Sequence, residues 1–133
     1  MHPTLYKLVP CIDNVYKLVN VDGLEMDLTL DLSETGLEMF FRPYQIEALE
    51  LLWNTEETLS SRKVWEQVNE KLEGTISRAS IINFLNASVE NGLLNYVETT
   101  GKGGYRRLYT PKLSKDETAK YLSEEVKKAL NSL

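Results

Sequence analysis

The apolar positions of the chain change their spacing several times, and each change marks an element. From Leu24 to Leu32, the residues Leu24, Met26, Leu28, Leu30 and Leu32 alternate with Glu25, Asp27, Thr29 and Asp31. That period of two predicts a strand with one buried and one wet face. Asp22-Gly23 just before it tolerates positive φ and reads as a hairpin turn, so Val15–Val21 is expected as the preceding strand. A second turn over Ser33–Gly36 would return the chain as a third strand, Gly36–Arg42, with Leu37, Met39 and Phe41 inward, giving a three-stranded meander. Leu5–Val9 suits either a strand or a short helix stopped by Pro10.

At Pro43 the period becomes helical. Pro43 suits a first helical turn, and Ile46, Leu49, Leu52 and Trp53 form a stripe that predicts a helix to about Asn54. Thr55–Leu59 reads as a polar connector. Ser60 can cap a second helix, with Val64, Trp65, Val68 and Leu72 inward and Gly74 ending it. Ser77 can cap a third, with Ile81, Phe84, Leu85 and Ser88 or Val89 inward and Asn91-Gly92 as its left-handed end. Two β runs, Leu93–Thr99 and Tyr105–Thr110, then flank Gly101-Lys102-Gly103-Gly104 as a hairpin that Pro111 ends. Ser114 and Glu117 form a capping box for a last helix carrying Ala119, Leu122, Val126, Ala129 and Leu133. This heptad-like seam predicts a dimer interface through Leu122, Val126, Ala129 and Leu133, with docking on the chain's own domain as the alternative.

The expected fold is therefore α+β: a winged helix-turn-helix of three helices and a hairpin wing over residues 43–113. An acidic β segment over 1–42 precedes it and a dimerisation helix over 114–133 follows. A length of 133 residues allows one core with appendages. The charge adds a complication. Fifteen basic against twenty acidic residues give −5, which taken as an average disfavours a polyanionic partner. Residues 1–42 hold −4 of it, whereas residues 75–112, with Arg78, Lys102, Arg106, Arg107 and Lys112 against Glu90 and Glu98, carry +3.

That basic stretch holds the candidate chemistry. In a winged helix the third helix enters the major groove by its N-terminal end and the wing reaches the backbone. Arg78 can take guanine or phosphate, Asn83 and Asn86 have the bidentate shape adenine needs, and the Ser77 and Ser80 hydroxyls add donors where free helix N–H groups attract phosphate. Lys102, Tyr105, Arg106 and Arg107 supply charge and a stacking ring at the wing. Alternation puts Arg106 and Arg107 on opposite faces of a strand, so one of them at most meets DNA, and either can instead pair with Glu98. Trp53 and Trp65 read as packing, and Cys11, the single cysteine, as a small buried thiol. With His2 the single histidine, no metal cluster, catalytic triplet or cofactor is expected, and the chain is not read as an enzyme. No signal or membrane-spanning pattern is present, which predicts a cytoplasmic protein.

Several of these residues also resemble a family. Glu47-Ala48-Leu49-Glu50-Leu51-Leu52-Trp53, Ser61-Arg62-Lys63-Val64, Phe84-Leu85-Asn86 through Glu90-Asn91-Gly92-Leu93-Leu94, and Arg107-Leu108-Tyr109-Thr110-Pro111 resemble the penicillinase repressor family of winged-helix transcription regulators, over about residues 43–117. The resemblance implies an operator-binding homodimer with Ser80 and Asn83 at positions that face DNA in that family. The acidic segment before Pro43 lies outside the family pattern, as an added dimerisation or signal-receiving module, where an effector or protein partner would act. Neither the long helical region beyond the wing nor the cysteine-rich tail of copper-responsive members has a counterpart here, so release by a sensor protease or by metal is not implied. The expected function is thus a double-stranded DNA-binding transcription regulator, a repressor acting as a homodimer; the alternative is a winged-helix protein-interaction module that does not bind DNA.

Overall fold

The computed structural model describes residues 6–20, 28–101 and 104–131. Within them the protein is α+β, with four α-helices and two small antiparallel sheets. The chain divides into two compact units, Met1–Arg42 with Asp116–Leu133, and Pro43–Lys115. The last helix therefore groups with the N-terminal segment.

In the first unit, strands β1 (Tyr6–Ile12), β2 (Val15–Asn20) and β3 (Leu28–Asp31) form a meander in the order β1-β2-β3. Leu5–Val9, which sequence alone leaves open, contributes its residues from Tyr6 on to β1. Pro10 is tolerated because β1 is an edge strand and the register shifts between Pro10 and Ile12. Asn14 makes the β1–β2 turn at φ 58°, a left-handed conformation that its short polar side chain tolerates. Cys11 is exposed on this strand, contrary to the expected buried thiol.

The alternation that predicts a strand from Leu24 persists in part: Leu28 and Leu30 are buried and Thr29 is exposed. Leu24, Met26 and the Asp22-Gly23 turn lie outside the described residues. Leu32 is 53% exposed, not inward. The strand stops at Asp31, whose carboxylate accepts the Ser33 backbone N–H at 2.9 Å and the Ser33 hydroxyl at 2.6 Å, bonds that also hold the Asp31 carboxyl below its ordinary value.

The expected third strand over Gly36–Arg42 is instead a single 3₁₀ turn, Gly36–Met39. Gly36 enters it at φ 63°, and the N–H groups of Phe40 and Phe41 both reach back to the Leu37 carbonyl. The bonding is helical, and seven residues are too few for an alternation of Leu37, Met39 and Phe41 to decide otherwise.

Helix α4 (Lys115–Asn131) buries Thr118, Leu122, Glu125 and Ala129, positions spaced four, three and four apart. Of the expected seam only Leu122 and Ala129 are buried, and Ala119 is exposed; at 0% exposure within one chain Leu122 and Ala129 do not form an open surface for a second copy. Val126 is half-buried and Leu133 lies outside the described residues.

The second unit runs α1 (Pro43–Trp53), β4 (Leu59–Ser60), α2 (Ser61–Lys71), α3 (Arg78–Glu90), β5 (Leu94–Gly101) and β6 (Gly104–Pro111), with sheet order β4-β6-β5. Its core contains Leu49, Leu52, Val64, Ile81, Leu85 and Leu93, each at most 1% exposed. Burial of such side chains contributes roughly 1.5–3 kcal/mol apiece. Strand β4 takes the last residue of the expected connector, Leu59, and the helix cap Ser60; it has two residues, too few for any period, and exists because they pair with Tyr109 and Leu108. No helix among the described residues is long and apolar enough to cross a membrane.

Candidate nucleic-acid interface

Helix α3 is held at both ends by local chemistry. At its start the Ser77 hydroxyl accepts the Ser80 N–H at 3.1 Å, satisfying one of the first-turn donors that lack an intrahelical partner. At its end Gly92 adopts φ 79° and the Leu93 N–H reaches back to the Ser88 carbonyl at 2.9 Å. That is a Schellman end with buried Leu93 as its apolar contact.

The connection from α2 is equally fixed. Glu73 and Gly74 take consecutive left-handed conformations, φ 58° and 81°, and the Gly74 N–H closes onto the Asn69 carbonyl at 2.7 Å. The Asn69 side chain accepts the Ile76 N–H at 3.1 Å, while the Trp65 indole N–H donates to the Ile76 carbonyl at 2.8 Å. Trp65 is thus a latch on the turn ahead of α3 as well as a packing residue. Trp53 acts likewise, donating to the Leu113 carbonyl at 3.1 Å.

With Ile81, Phe84, Leu85 and Ser88 buried, the helix presents Ser77, Arg78, Ala79 and Asn83 to solvent, with Ser80 and Ile82 half-buried. The Ser77 and Ser80 hydroxyls lie 2.9 Å apart and bond to each other. Arg78 makes no salt bridge among the described residues.

Asn86 does something different. Its side-chain oxygen accepts both the Tyr109 hydroxyl at 2.6 Å and an Arg107 guanidinium N–H at 3.1 Å. The bidentate adenine contact expected of Asn86 needs that same oxygen, so its role here is to tie α3 to β6. Arg107 is likewise withdrawn: half-buried, it lies over the Tyr96 ring at 4.0 Å from the centroid. Glu98 is its cross-strand partner, but the guanidinium is engaged by the ring and the amide.

Tyr105, Arg107 and Tyr109 share one face of β6, with Tyr96 opposite Tyr109; Arg106 projects from the other face and is exposed. Burial pushes the Tyr109 phenol above its ordinary pKa, and the Arg107 charge pulls it partly back. Beyond this network Tyr105 is 80% exposed near the hairpin tip. Lys102 lies outside the described residues.

Of the nine expected contact residues, then, Ser77, Arg78, Asn83, Tyr105 and Arg106 are exposed, Ser80 is half-buried, Asn86 and Arg107 are internal struts, and Lys102 is not described. Tyr96 and Tyr109 complete the strut, and sequence reasoning missed their part in it. The available signal was alternation, which places Tyr96, Arg107 and Tyr109 on one face once the hairpin register is known.

No protein-family model matches the chain, and no curated protein matches it. The likeness to penicillinase repressors therefore stays a resemblance between stretches of sequence. Among solved structures, the chain is similar to a crystal structure of the Vibrio cholerae ferric uptake regulator (Fur), at 15% identity and a TM-score of 0.41, over 53% of this chain and 52% of that one. The match spans about half of the Vibrio protein's chain, and a likeness of that size carries no weight for the function of this one.

Proposed function

We propose that Pro43–Lys115 is a winged helix-turn-helix module that binds double-stranded DNA as part of a transcription regulator. The N-terminal end of α3 lies in the major groove and the β5–β6 hairpin is the wing on the adjacent backbone. The observation that carries this reading is the division of labour on α3: one face is spent on the core, Asn86 on the strut to β6, and the N-terminal face, with Arg78 and Asn83, is left to solvent. Arg78 is suited to guanine or phosphate and Asn83 to adenine. Ser77 and Ser80 line the helix start where a phosphate would sit, and Tyr105 and Arg106 serve the wing. Lys102, in the sequence between Gly101 and Gly103, adds to the wing charge.

Repression by a homodimer belongs to the same proposal, since two-fold operators are read by paired modules. Its interface excludes Leu122 and Ala129, which are buried in the protomer. Fluorescence anisotropy with a pool of labelled duplexes tests the reading. Saturable binding at low salt, weakened by about 1–3 kcal/mol in Arg78→Ala for a selected duplex, is expected. No duplex binding at low salt would refute it.

A protein-interaction module is the second reading, favoured by one observation. With Arg107 withdrawn, the exposed cations of the stretch 75–112 reduce, among the described residues, to Arg78, Arg106 and Lys112. Such a module would leave the protein without affinity for any duplex in the pool.

A further inference from the structure

The first unit contains a cleft of about 560 Å³ that the DNA-binding reading leaves unused. Its walls are apolar: Leu8 and Leu30 of the sheet, Phe40 from the segment after the 3₁₀ turn, and Val126 and Leu130 of α4. The volume falls within the range of small-molecule sites, which combine an apolar lining with a few placed polar groups. Among the described residues the polar ones in the lining are Tyr16, Ser123 and Lys127, and none of the lining residues is acidic. Lys127 makes no salt bridge among the described residues, whereas its neighbour Lys128 is paired with Glu125 at 3.2 Å.

A lining of hydrocarbon with hydroxyl groups and one uncompensated cation matches a ligand with an apolar body and a single negative head. From that complementarity the geometry points to a binding site for a small amphipathic carboxylate, its hydrocarbon against Leu8, Leu30, Phe40 and Val126 and its carboxylate on Lys127. The Lys127 stem is itself apolar, so the residue can flank the hydrocarbon while presenting its charge at the mouth. A cationic amphiphile would meet Lys127 with like charge, and an alcohol of equal length would lose the charge-assisted bond.

Titration calorimetry of the full chain with decanoate, decanol and decylamine, each below its aggregation concentration, tests the assignment. Decanoate is expected to bind saturably at one site per chain, about tenfold more tightly than decanol, with decylamine weakest. Lys127→Glu, at an exposed position with no ion pair to lose, should invert the order of decanoate and decylamine. Val126→Phe, with its helicity checked by circular dichroism, should reduce binding of all three by occupying the cleft. Absence of saturable heat for every probe, or an order unchanged in Lys127→Glu, would overturn the proposal. So would sedimentation showing a dimer that Val126→Phe dissociates, because the cleft would then be covered by a second copy of the chain.

Discussion

Asn83 and Asn86 have the same side chain on the same helix, yet one is exposed and the other is the acceptor for two groups more than twenty residues away. Nothing local distinguishes them, since the difference is made by β6, and the helix period alone cannot say which asparagine meets it. In Asn86→Ala the Tyr109 hydroxyl, on a residue 3% exposed, loses its acceptor. Unfolding stability should fall by about 1–3 kcal/mol, measured by urea denaturation. Arg78→Ala, at an exposed position, should change it by less than about 0.5 kcal/mol. The Tyr109 phenol gives a second test. Burial raises its pKa above the ordinary 10.0, so the folded chain holds this proton more tightly than the unfolded chain does. Its contribution is fully present below the unfolded pKa and is lost as pH rises through the folded one. The urea midpoint should therefore fall as pH rises above about 10, with a shallower decline in Tyr109→Phe.

The legible elements were those whose ends carry their own chemistry. Helices α2 and α3 begin at the serines expected to cap them, Ser60 accepting from the Lys63 N–H at 3.2 Å and Ser77 from the Ser80 N–H at 3.1 Å. The end of α3 at Asn91-Gly92 follows from the left-handed conformation that glycine takes at no steric cost. Elements too short to carry a period of their own were not legible. β4 is a strand because β6 runs beside it, and Gly36–Met39 turns because the Leu37 carbonyl receives two N–H groups. Loss of the cap in Ser77→Ala should cost about 1 kcal/mol of stability, and Ser77→Gly only roughly a few tenths. Gly92→Ala should cost about 1–2 kcal/mol through its positive φ, with open space around the added methyl ruling out a clash as the cause. Thermal unfolding followed by circular dichroism separates these variants.

At the scale of the molecule, a net charge of −5 and a module proposed to bind a polyanion are compatible only if the exchange of counterions is local. The acidic excess lies in residues 1–42, at −4, whereas which cations of the stretch 75–112 stand free is decided by the packing of β6 against α3 and β5. Arg107, held by Tyr96 and Asn86, should contribute no phosphate contact, and Arg78 is proposed to meet a base, which leaves Arg106 and Lys112 of the described residues, with Lys102 as a further cation of the sequence. Two or three phosphates neutralised per chain then give a slope of log affinity against log salt of about −2 to −3, at roughly −0.9 per phosphate. The slope also sorts the contacts. Arg106 on the hairpin is proposed to meet backbone, so Arg106→Ala should reduce the slope by about 1 and weaken all duplexes alike. Arg78 at the start of α3 is proposed to meet a base, so Arg78→Ala should leave the slope nearly unchanged and flatten the preference among duplexes. Equal slopes in the wild-type chain and in Arg106→Ala would remove the hairpin from the interface. A flat wild-type slope would mean that no phosphate is neutralised, and the acidic average would then be the correct guide to this protein's partners.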